Sequence, residues 1–156
     1  MHALSYTHSQ HVVHCDIKLE NILWEESSGR VVLVDFGCAA VDPEINEQTR
    51  VCGTPWYMAP EQFHPERSFD LYKAEIWSLG VVVFVLLTGL FPFRATTNEE
   101  LKTKILKMDY TFPASMQINS NLRRFIKSCL QPANRRASME DLEGLFEVNC
   151  YSAGVQ

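Results

Sequence analysis

The sequence predicts a mainly α-helical fold that carries a small β-hairpin. The longest apolar stretch, residues 76–93, raises the question of a membrane span, but serine, threonine, glycine and proline residues interrupt it. We therefore interpret it as a buried core helix. Two further stretches, 122–130 and 142–146, carry apolar residues at helical spacing. Two short apolar runs, 21–24 and 31–34, flank the turn-forming sequence Glu-Glu-Ser-Ser-Gly-Arg, which predicts the hairpin.

The N-terminal elements are predicted to meet at a polar loop. Residues 1–11 are interpreted as the end of a helix, and Val12-Val13 leads into the loop. The hairpin then carries Asn21 at the start of its first strand and Asp35 at the end of its second. Because antiparallel strands place these two ends at the same edge, the two polar side chains are expected to lie close together.

Capping signals predict where the later helices begin. Thr97 and Glu100 have the spacing of a capping box ahead of a helix through residues 101–106. Ser120-Asn121 precedes the next apolar stripe, and Ser138 with Asp141 caps the last helix. These stripes are interpreted as core, with no cofactor implied.

Length and charge limit the classes of partner. The 156 residues make one domain's worth of chain, and 14 Lys and Arg stand against 19 Asp and Glu, giving a formal charge of -5. This balance argues against a nucleic-acid footprint and gives no basic patch for an anionic membrane. Neither kind of partner is expected, and the sequence does not determine the oligomeric state.

The cysteines and the N-terminus indicate an intracellular, cytoplasmic setting, with the nucleus also open. Five cysteines form an odd set without a Cys-x-x-Cys pair, so neither a disulfide framework nor a zinc site is indicated. The first ten residues contain histidines and polar residues where a signal peptide would have an apolar region.

Two motifs point to a chemistry. Residues 14–21 read His-Cys-Asp-Ile-Lys-Leu-Glu-Asn, and residues 35–37 read Asp-Phe-Gly. Together they resemble the catalytic loop H-R-D-x-K-x-x-N and the D-F-G motif of protein kinases, with Cys15 where arginine is usual. Each match alone is weak, but both occur in the right order and are separated by a plausible hairpin. The lysine in the loop is the serine/threonine-kinase choice.

The resemblance implies roles for these residues in phosphoryl transfer. Asp16 would accept the proton of the incoming hydroxyl, and Lys18 would lie against the γ-phosphate of ATP. Asn21 and Asp35 would hold Mg²⁺ through oxygen ligands. In the family the residue matching Leu23 forms the floor under adenine, although Leu23 is also plain strand core. The complete set of residues assigned to ATP binding is Lys18, Glu20, Asn21, Leu23 and Asp35.

A second region supports the same family. Residues 53–61 read Gly-Thr-Pro-Trp-Tyr-Met-Ala-Pro-Glu and resemble the G-T-x-x-Y-x-A-P-E close of the kinase activation segment. The resemblance implies that Thr54 hydrogen-bonds the catalytic aspartate and lysine, which makes it a third catalytic candidate. It also implies that Glu61 pairs with an arginine, for which Arg135 and Arg136 are both open. This match favours serine/threonine over tyrosine specificity.

The central helix contains a departure from the family pattern. Residues 75–80 read Glu-Ile-Trp-Ser-Leu-Gly where kinases have D-x-W-S-x-G. In the family the aspartate ties down the backbone of the catalytic loop. Glu75 keeps the charge but is one methylene longer, which puts the preorganisation of the loop in doubt without excluding activity.

The resemblance covers residues 1–148 and corresponds to the C-terminal lobe of the α+β protein-kinase fold, with the N-terminal lobe absent. The glycines never form G-x-G-x-x-G, and no lysine precedes His14. The chain is therefore expected to be a fragment or a truncated product that is inactive alone, with 149–156 as a frayed tail. A weaker resemblance is to the PIM branch of the calmodulin-kinase group.

Two functional classes follow. The first is a serine/threonine protein kinase that uses ATP and Mg²⁺ and acts on a protein substrate. The second is a non-catalytic kinase-like lobe that serves as a protein-binding module. Cys15 cannot pair with an activation-loop phosphate as arginine does, and Arg50 stands where many kinases carry the phosphorylated residue, next to Thr49. Activity is therefore expected to be constitutive or controlled from the N-terminal lobe, unless Cys15 and Glu75 mark a decayed enzyme.

Overall fold

The computed structural model describes residues 1–42, 52–64 and 68–150, the last five of these by backbone alone. Five helices occur in this part of the chain, and they confirm the mainly helical fold with a hairpin. The helices are α1 (His2–Ser9), α2 (Leu71–Thr88), α3 (Asn98–Leu106), α4 (Ser120–Cys129) and α5 (Met139–Cys150). The strands are β1 (Val12–Val13), β2 (Ile22–Glu25), β3 (Arg30–Leu33) and β4 (Ala40–Val41).

Helix α2 forms the centre of the core. The side chain of Asp70 accepts a hydrogen bond from the amide of Lys73 and begins the helix, and Gly89, at φ 68°, ends it in the left-handed conformation that glycine adopts without strain. By length and composition α2 could cross a membrane, but 56% of it is buried inside this fold. That burial agrees with the prediction of a core helix for this stretch.

A close approach joins α2 to α4. A Cβ built on Gly80 would lie 2.4 Å from the Cβ of Cys129, which is closer than two such atoms can come. The helices can therefore pack at this distance only because residue 80 has no side chain. Phe125, Ile126 and Cys129 of α4 are buried in the same core.

The strands form two separate two-stranded antiparallel sheets. β2 pairs with β3 as predicted, with Leu23 opposite Val32 and Trp24 opposite Val31. β1 pairs with β4, which places Val12 opposite Val41. The second pairing was not predicted, because a two-residue strand carries no periodicity that a sequence pattern can reveal.

The helix caps differ in detail from the sequence prediction. Thr97 accepts the amide of Glu100 as predicted, but the Glu100 carboxylate bonds the backbone and hydroxyl of Thr96 and not the amide of Thr97. Asn119, one residue earlier than predicted, caps α4. Ser138 and Asp141 form the reciprocal pair expected at α5.

The C-terminal boundary and the cysteines add two corrections. Helix α5 continues to Cys150, past the predicted start of the tail at 149, and residues 151–156 lie outside the described part. The odd count and the spacing indicate no disulfide framework, but the structure joins Cys38 and Cys52 with their Cα atoms 6.1 Å apart. The two cysteines are 14 residues apart in sequence, and no local spacing rule reveals their proximity in the fold.

Candidate functional site

The loop after β1 is held from inside by His14. This side chain is fully buried, and its Nε2 lies 2.9 Å from the carbonyl oxygen of Val34. The amide of Asp16 donates to Nδ1 at 3.3 Å. Nδ1 therefore accepts while Nε2–H donates to Val34, which corresponds to the neutral imidazole. One side chain thus fixes the loop against the end of β3, where Asp35 follows.

Asp16 is the centre of a hydrogen-bonded cluster. Its Oδ1 accepts from both the amide and the hydroxyl of Thr54, each at 3.1 Å. Its Oδ2 accepts from Lys18 Nζ at 2.5 Å and from Asn21 Nδ2 at 3.4 Å. Partial burial alone raises the pKa of Asp16, but the hydrogen bonds from Lys18 and Thr54 outweigh it and hold the pKa below its ordinary value. The carboxylate is ionised at neutral pH.

Lys18 connects the cluster to the rim of the site. Besides its bond to Asp16, its Nζ donates to the Thr54 hydroxyl at 3.1 Å. The hydrogen bond to Asp16 raises the pKa of Lys18, and the negative charges of Glu20 and Asp35 raise it further. The ammonium group is therefore a fixed positive charge surrounded by acidic groups.

Asn21 and Asp35 flank the open end of the hairpin. The amide of Val34 donates to the carbonyl of Asn21 at 2.9 Å, which continues the strand pairing up to both residues. Nδ2 of the buried Asn21 donates to the backbone oxygen of Asp16 at 2.9 Å. Asp35 is exposed at φ 64°, and its Oδ1 accepts from the amide of Gly37. This backbone pairing places Asn21 and Asp35 at the same edge of the hairpin, as the sequence predicted.

These two residues have the chemistry that Mg²⁺ requires. No described residue donates to Oδ1 of Asn21 or to Oδ2 of Asp35, so an amide oxygen and a carboxylate oxygen remain for a cation. Hard oxygen donors are the ligands of Mg²⁺, which protein sites hold through one or two side chains together with substrate phosphates. The described residues contain no cluster of three or more His, Cys, Asp or Glu placed for a metal. The site fits a Mg²⁺ that arrives with phosphate.

Glu20 and Leu23 lie outside the hydrogen-bonded cluster. Glu20 is exposed, and its carboxylate lies beside the hydroxyl of Tyr57, whose pKa is raised first by burial and also by this neighbour. Leu23 is 54% exposed on the hairpin surface. The structure therefore brings together Asp16, Lys18, Asn21 and Thr54, with Asp35 at the rim, and leaves the other two predicted residues at its periphery.

Glu75 performs the anchoring that its extra methylene put in doubt. Its Oε1 accepts from the amides of His14 at 3.0 Å and Cys15 at 3.3 Å. Its Oε2 lies 2.6 Å from Nε2 of His8 on α1. The longer side chain therefore still reaches the loop and also binds a second element. Sequence reasoning missed His8, which belongs to no motif and is 67 residues away from its partner.

The structure decides between the two candidate arginines. Arg136 donates to Glu61 through NH1 at 2.6 Å and NH2 at 2.9 Å, which is the bidentate arrangement. The guanidinium also donates to the carbonyls of Lys73 and Gln131 and lies 5.1 Å from the centre of the Trp77 ring. Arg136 is 3% exposed, whereas Arg135 is on the surface. The pair ties the segment after Thr54 to the helical core.

Of the three residues on which the expectation about regulation depends, the structure describes only Cys15. Thr49 and Arg50 lie outside the described residues. Burial and the charge of Glu75 raise the pKa of the Cys15 thiol to about 11, so it is neutral at neutral pH. Its Sγ lies 3.5 Å from the carbonyl of Val13. Cys15 therefore brings no positive charge to this position.

The sequence of the chain matches one family model and is similar to several known proteins. The model of the family described as "Protein kinase domain" matches residues 1–144. The SNF-related serine/threonine-protein kinase of Rattus norvegicus is 38% identical over 144 residues, which are 92% of this chain and 19% of that protein. The putative sperm motility kinase W of Mus musculus is 39% identical over 142 residues, 90% of this chain and 28% of that protein.

A plant relative shows the same degree of similarity. The CBL-interacting serine/threonine-protein kinase 15 of Arabidopsis thaliana is 38% identical over 144 residues, 90% of this chain and 33% of that protein. The chain spans from about a fifth to a third of the length of these three relatives.

Proposed function

The chain belongs to the protein kinase domain family, and from this premise we propose that the protein containing it transfers the γ-phosphoryl group of ATP to serine or threonine hydroxyls of a protein. The observation that carries the proposal is the set of hydrogen bonds around Asp16. Three neighbours, Thr54, Lys18 and Asn21, hold one ionised carboxylate beside a pair of oxygen ligands. A loop that served only to connect two strands would not require this arrangement.

Each residue of the cluster has a defined task in the proposed reaction. Asp16 accepts the proton of the attacking hydroxyl, and Thr54 fixes the rotamer of its carboxylate. Lys18 supplies positive charge beside the transferred group, where negative charge develops. Asn21 and Asp35 would hold Mg²⁺, which would neutralise part of the charge on the phosphates of ATP. Since the pKa of Asp16 is lowered, it remains a base throughout the neutral range.

Serine/threonine specificity has two supports. Lys18 occupies the loop position that favours these acceptors, and its Nζ bonds the hydroxyl of Thr54 in the segment characteristic of serine/threonine kinases. The three relatives include two whose names state serine/threonine kinase activity.

A protein-binding role without catalysis is the second candidate. The hairpin exposes an apolar pair on each face: Leu23 (54% exposed) lies opposite Val32 (40%), and Trp24 (69%) lies opposite Val31 (63%) on the other face. Exposed pairs of large apolar side chains can serve as contact surfaces for another protein or domain. The kinase function requires the carboxylate of Asp16, whereas the protein-binding role does not.

The deciding experiment replaces Asp16 by asparagine in the full-length protein and measures transfer of radiolabel from ATP to a general protein substrate. Asp16→Asn keeps the size of the side chain but removes the base, so we expect a loss of about 10²–10⁴-fold. The matched control is Asp109→Asn, an exposed carboxylate outside the site, which should retain full activity. Circular dichroism should show the same fold for all three proteins. Unchanged transfer by Asp16→Asn would remove Asp16 as the base, and no transfer by any of them would favour the binding role.

A further inference from the structure

A groove on the surface of α4 concentrates positive charge in a chain that is acidic overall. We call it the cationic groove and define it by its four basic lining residues, Arg123, Arg124, Lys127 and Arg135. It has a volume of about 620 Å³, and none of the residues that line it belongs to the site described above. The formal charge of -5 conceals this local concentration, because the charge of the whole chain does not reveal where the basic residues lie.

Described acidic residues do not neutralise the groove. Helix α4 reads Ser-Asn-Leu-Arg-Arg-Phe-Ile-Lys-Ser-Cys and contains no Asp or Glu. No described carboxylate forms an ion pair with Arg124, Lys127 or Arg135, all three of which are exposed. Asp141 is the one acidic lining residue, and it is already engaged at 2.7 Å by both the amide and the hydroxyl of Ser138. The charges of Arg124, Lys127 and Arg135 therefore face solvent without an acidic partner in the described part of the chain.

The groove is held in shape from below. The guanidinium of Arg123 stacks on the ring of Phe112 at 4.4 Å, which fixes the position of this charge. The amide of Arg135 donates to the carbonyl of Pro132 at 2.8 Å in the turn after α4. Buried Phe125, Ile126 and Cys129 attach the opposite face of the helix to the core. A rigid helix that presents aligned charges loses little conformational entropy when a ligand binds.

From these observations we propose that the cationic groove is a docking site for an extended, acidic peptide segment of a protein partner. Arg123 and Lys127 are four residues apart on a helix, which corresponds to about 6 Å along its axis. Alternate side chains on one face of an extended chain are about 6.6 Å apart. The charge spacing thus matches a segment with Asp or Glu at every second position, and α4 is long enough, at about 15 Å, for four or five residues.

The lining residues disfavour the other polyanions. Single-stranded nucleic acid binds where exposed aromatic rings stack the bases, and the groove has no aromatic lining residue. A membrane surface requires apolar side chains that insert beside the basic ones, and the lining residues include no large aliphatic side chain. The net negative charge of the chain would also repel a long polyanion from the remaining surface.

The test measures fluorescence anisotropy of a labelled eight-residue peptide of alternating Glu and Ala, titrated with the full chain. We expect saturable binding that weakens as salt rises, and at least tenfold weaker binding by Arg124→Glu combined with Lys127→Glu. The matched control combines Lys102→Glu with Lys107→Glu, which makes the same change of charge at two exposed positions on α3 and at its C-cap. The control should bind like the unaltered chain, and a peptide with Gln in place of Glu should not bind. Circular dichroism should confirm that both double variants are folded.

Three results would overturn the proposal. The first is an equal loss of binding in the two double variants, which would show that the peptide responds to the net charge of the chain and not to the groove. The second is no saturable binding of the acidic peptide by the unaltered folded chain. The third is tighter binding of a single-stranded oligonucleotide or of phosphatidylserine vesicles than of the peptide, with the same dependence on Arg124 and Lys127, which would assign the groove to another class of partner.

Discussion

The helical core and the hairpin edge of the site differ in how completely they are packed. In the core, Trp77, Phe84, Phe93 and Leu101 are at most 1% exposed. On the hairpin, Leu23, Trp24, Val31 and Val32 are all at least 40% exposed. Both regions are built from large apolar residues, so composition alone does not distinguish them.

The difference separates two uses of apolar residues. Those of the core stabilise the fold, since each buried side chain of this size contributes about 1.5–3 kcal/mol relative to an exposed one. Those of the hairpin contribute little to the stability of this chain and remain available for contact with a ligand or another protein. Polar groups follow the same division, because Glu61, Glu75 and Arg136 are paired in the interior while Asp35 keeps an oxygen free at the rim.

The largest effect on the core is expected from Arg136→Ala. This change leaves the Glu61 carboxylate, whose side chain is 15% exposed, without its bidentate partner. Breaking one side of a buried pair costs about 3–5 kcal/mol, so urea unfolding should show a loss of that size in the free energy of unfolding. Arg135→Ala, at the exposed neighbour, is the control and should change stability by less than about 0.5 kcal/mol. Equal losses at the two positions would contradict the assignment of the pair.

Gly80→Ala should have the next largest effect, at about 2–3 kcal/mol of destabilisation, because the new Cβ would overlap Cys129 at 2.4 Å. Gly144→Ala in α5 provides the control, since a Cβ there meets nothing within 4 Å. On an open helix surface alanine is favoured over glycine by about 0.5–1 kcal/mol, so this variant should be slightly stabilised. Thermal unfolding of the two variants gives the comparison. Shifts of the same sign would mean that α2 and α4 can separate without cost.

His8→Ala tests the connection between the core and the loop. The change leaves Oε2 of Glu75 buried without its neighbour, for a cost of about 1–2 kcal/mol. His11→Ala alters an exposed histidine two residues beyond α1 and should be neutral within about 0.5 kcal/mol. Urea unfolding of both variants measures the difference. No loss for His8→Ala would show that Glu75 anchors the loop without α1.

The smallest effect is expected from Leu23→Ala on the hairpin. Because this side chain is already 54% exposed, its truncation should lower stability by less than about 0.5 kcal/mol. Leu101→Ala, at 1% exposure in α3, should cost about 2–5 kcal/mol by comparison. The two free energies of unfolding, measured under the same conditions, should differ by at least about 1.5 kcal/mol. Similar values would remove the distinction between core and hairpin edge.

Local patterns were sufficient to predict the elements that contain their own signal. The core helix, the hairpin and the Ser138 cap depend on residues within a few positions of one another, and the structure confirms each of them. Asp16, Lys18 and Asn21 were identified through the resemblance of their loop to a kinase motif, and the structure joins them by hydrogen bonds.

Local spacing did not predict contacts between distant residues, and those of Thr54 with Asp16 and Lys18 were expected only from the family resemblance. The neighbourhood of Glu75 and His8, the disulfide of Cys38 and Cys52 and the choice of Arg136 over Arg135 each depend on how whole elements pack. The cationic groove was missed because a total charge gives no information on position. Local spacing is informative only where the partners are neighbours in sequence.

The hydrogen bonds from two loop amides to Glu75 couple the opening of the loop to the opening of the central helix. The N–H groups of His14 and Cys15 are held by a carboxylate on the central helix and not by a neighbouring strand. Their exposure to solvent therefore requires the loop to leave α2, or α2 itself to open. In terms of cooperative opening units, this segment belongs with the core helix, although by secondary structure it is a loop. The geometry around Asp16 thus remains fixed for as long as the innermost helix of the fold stays closed.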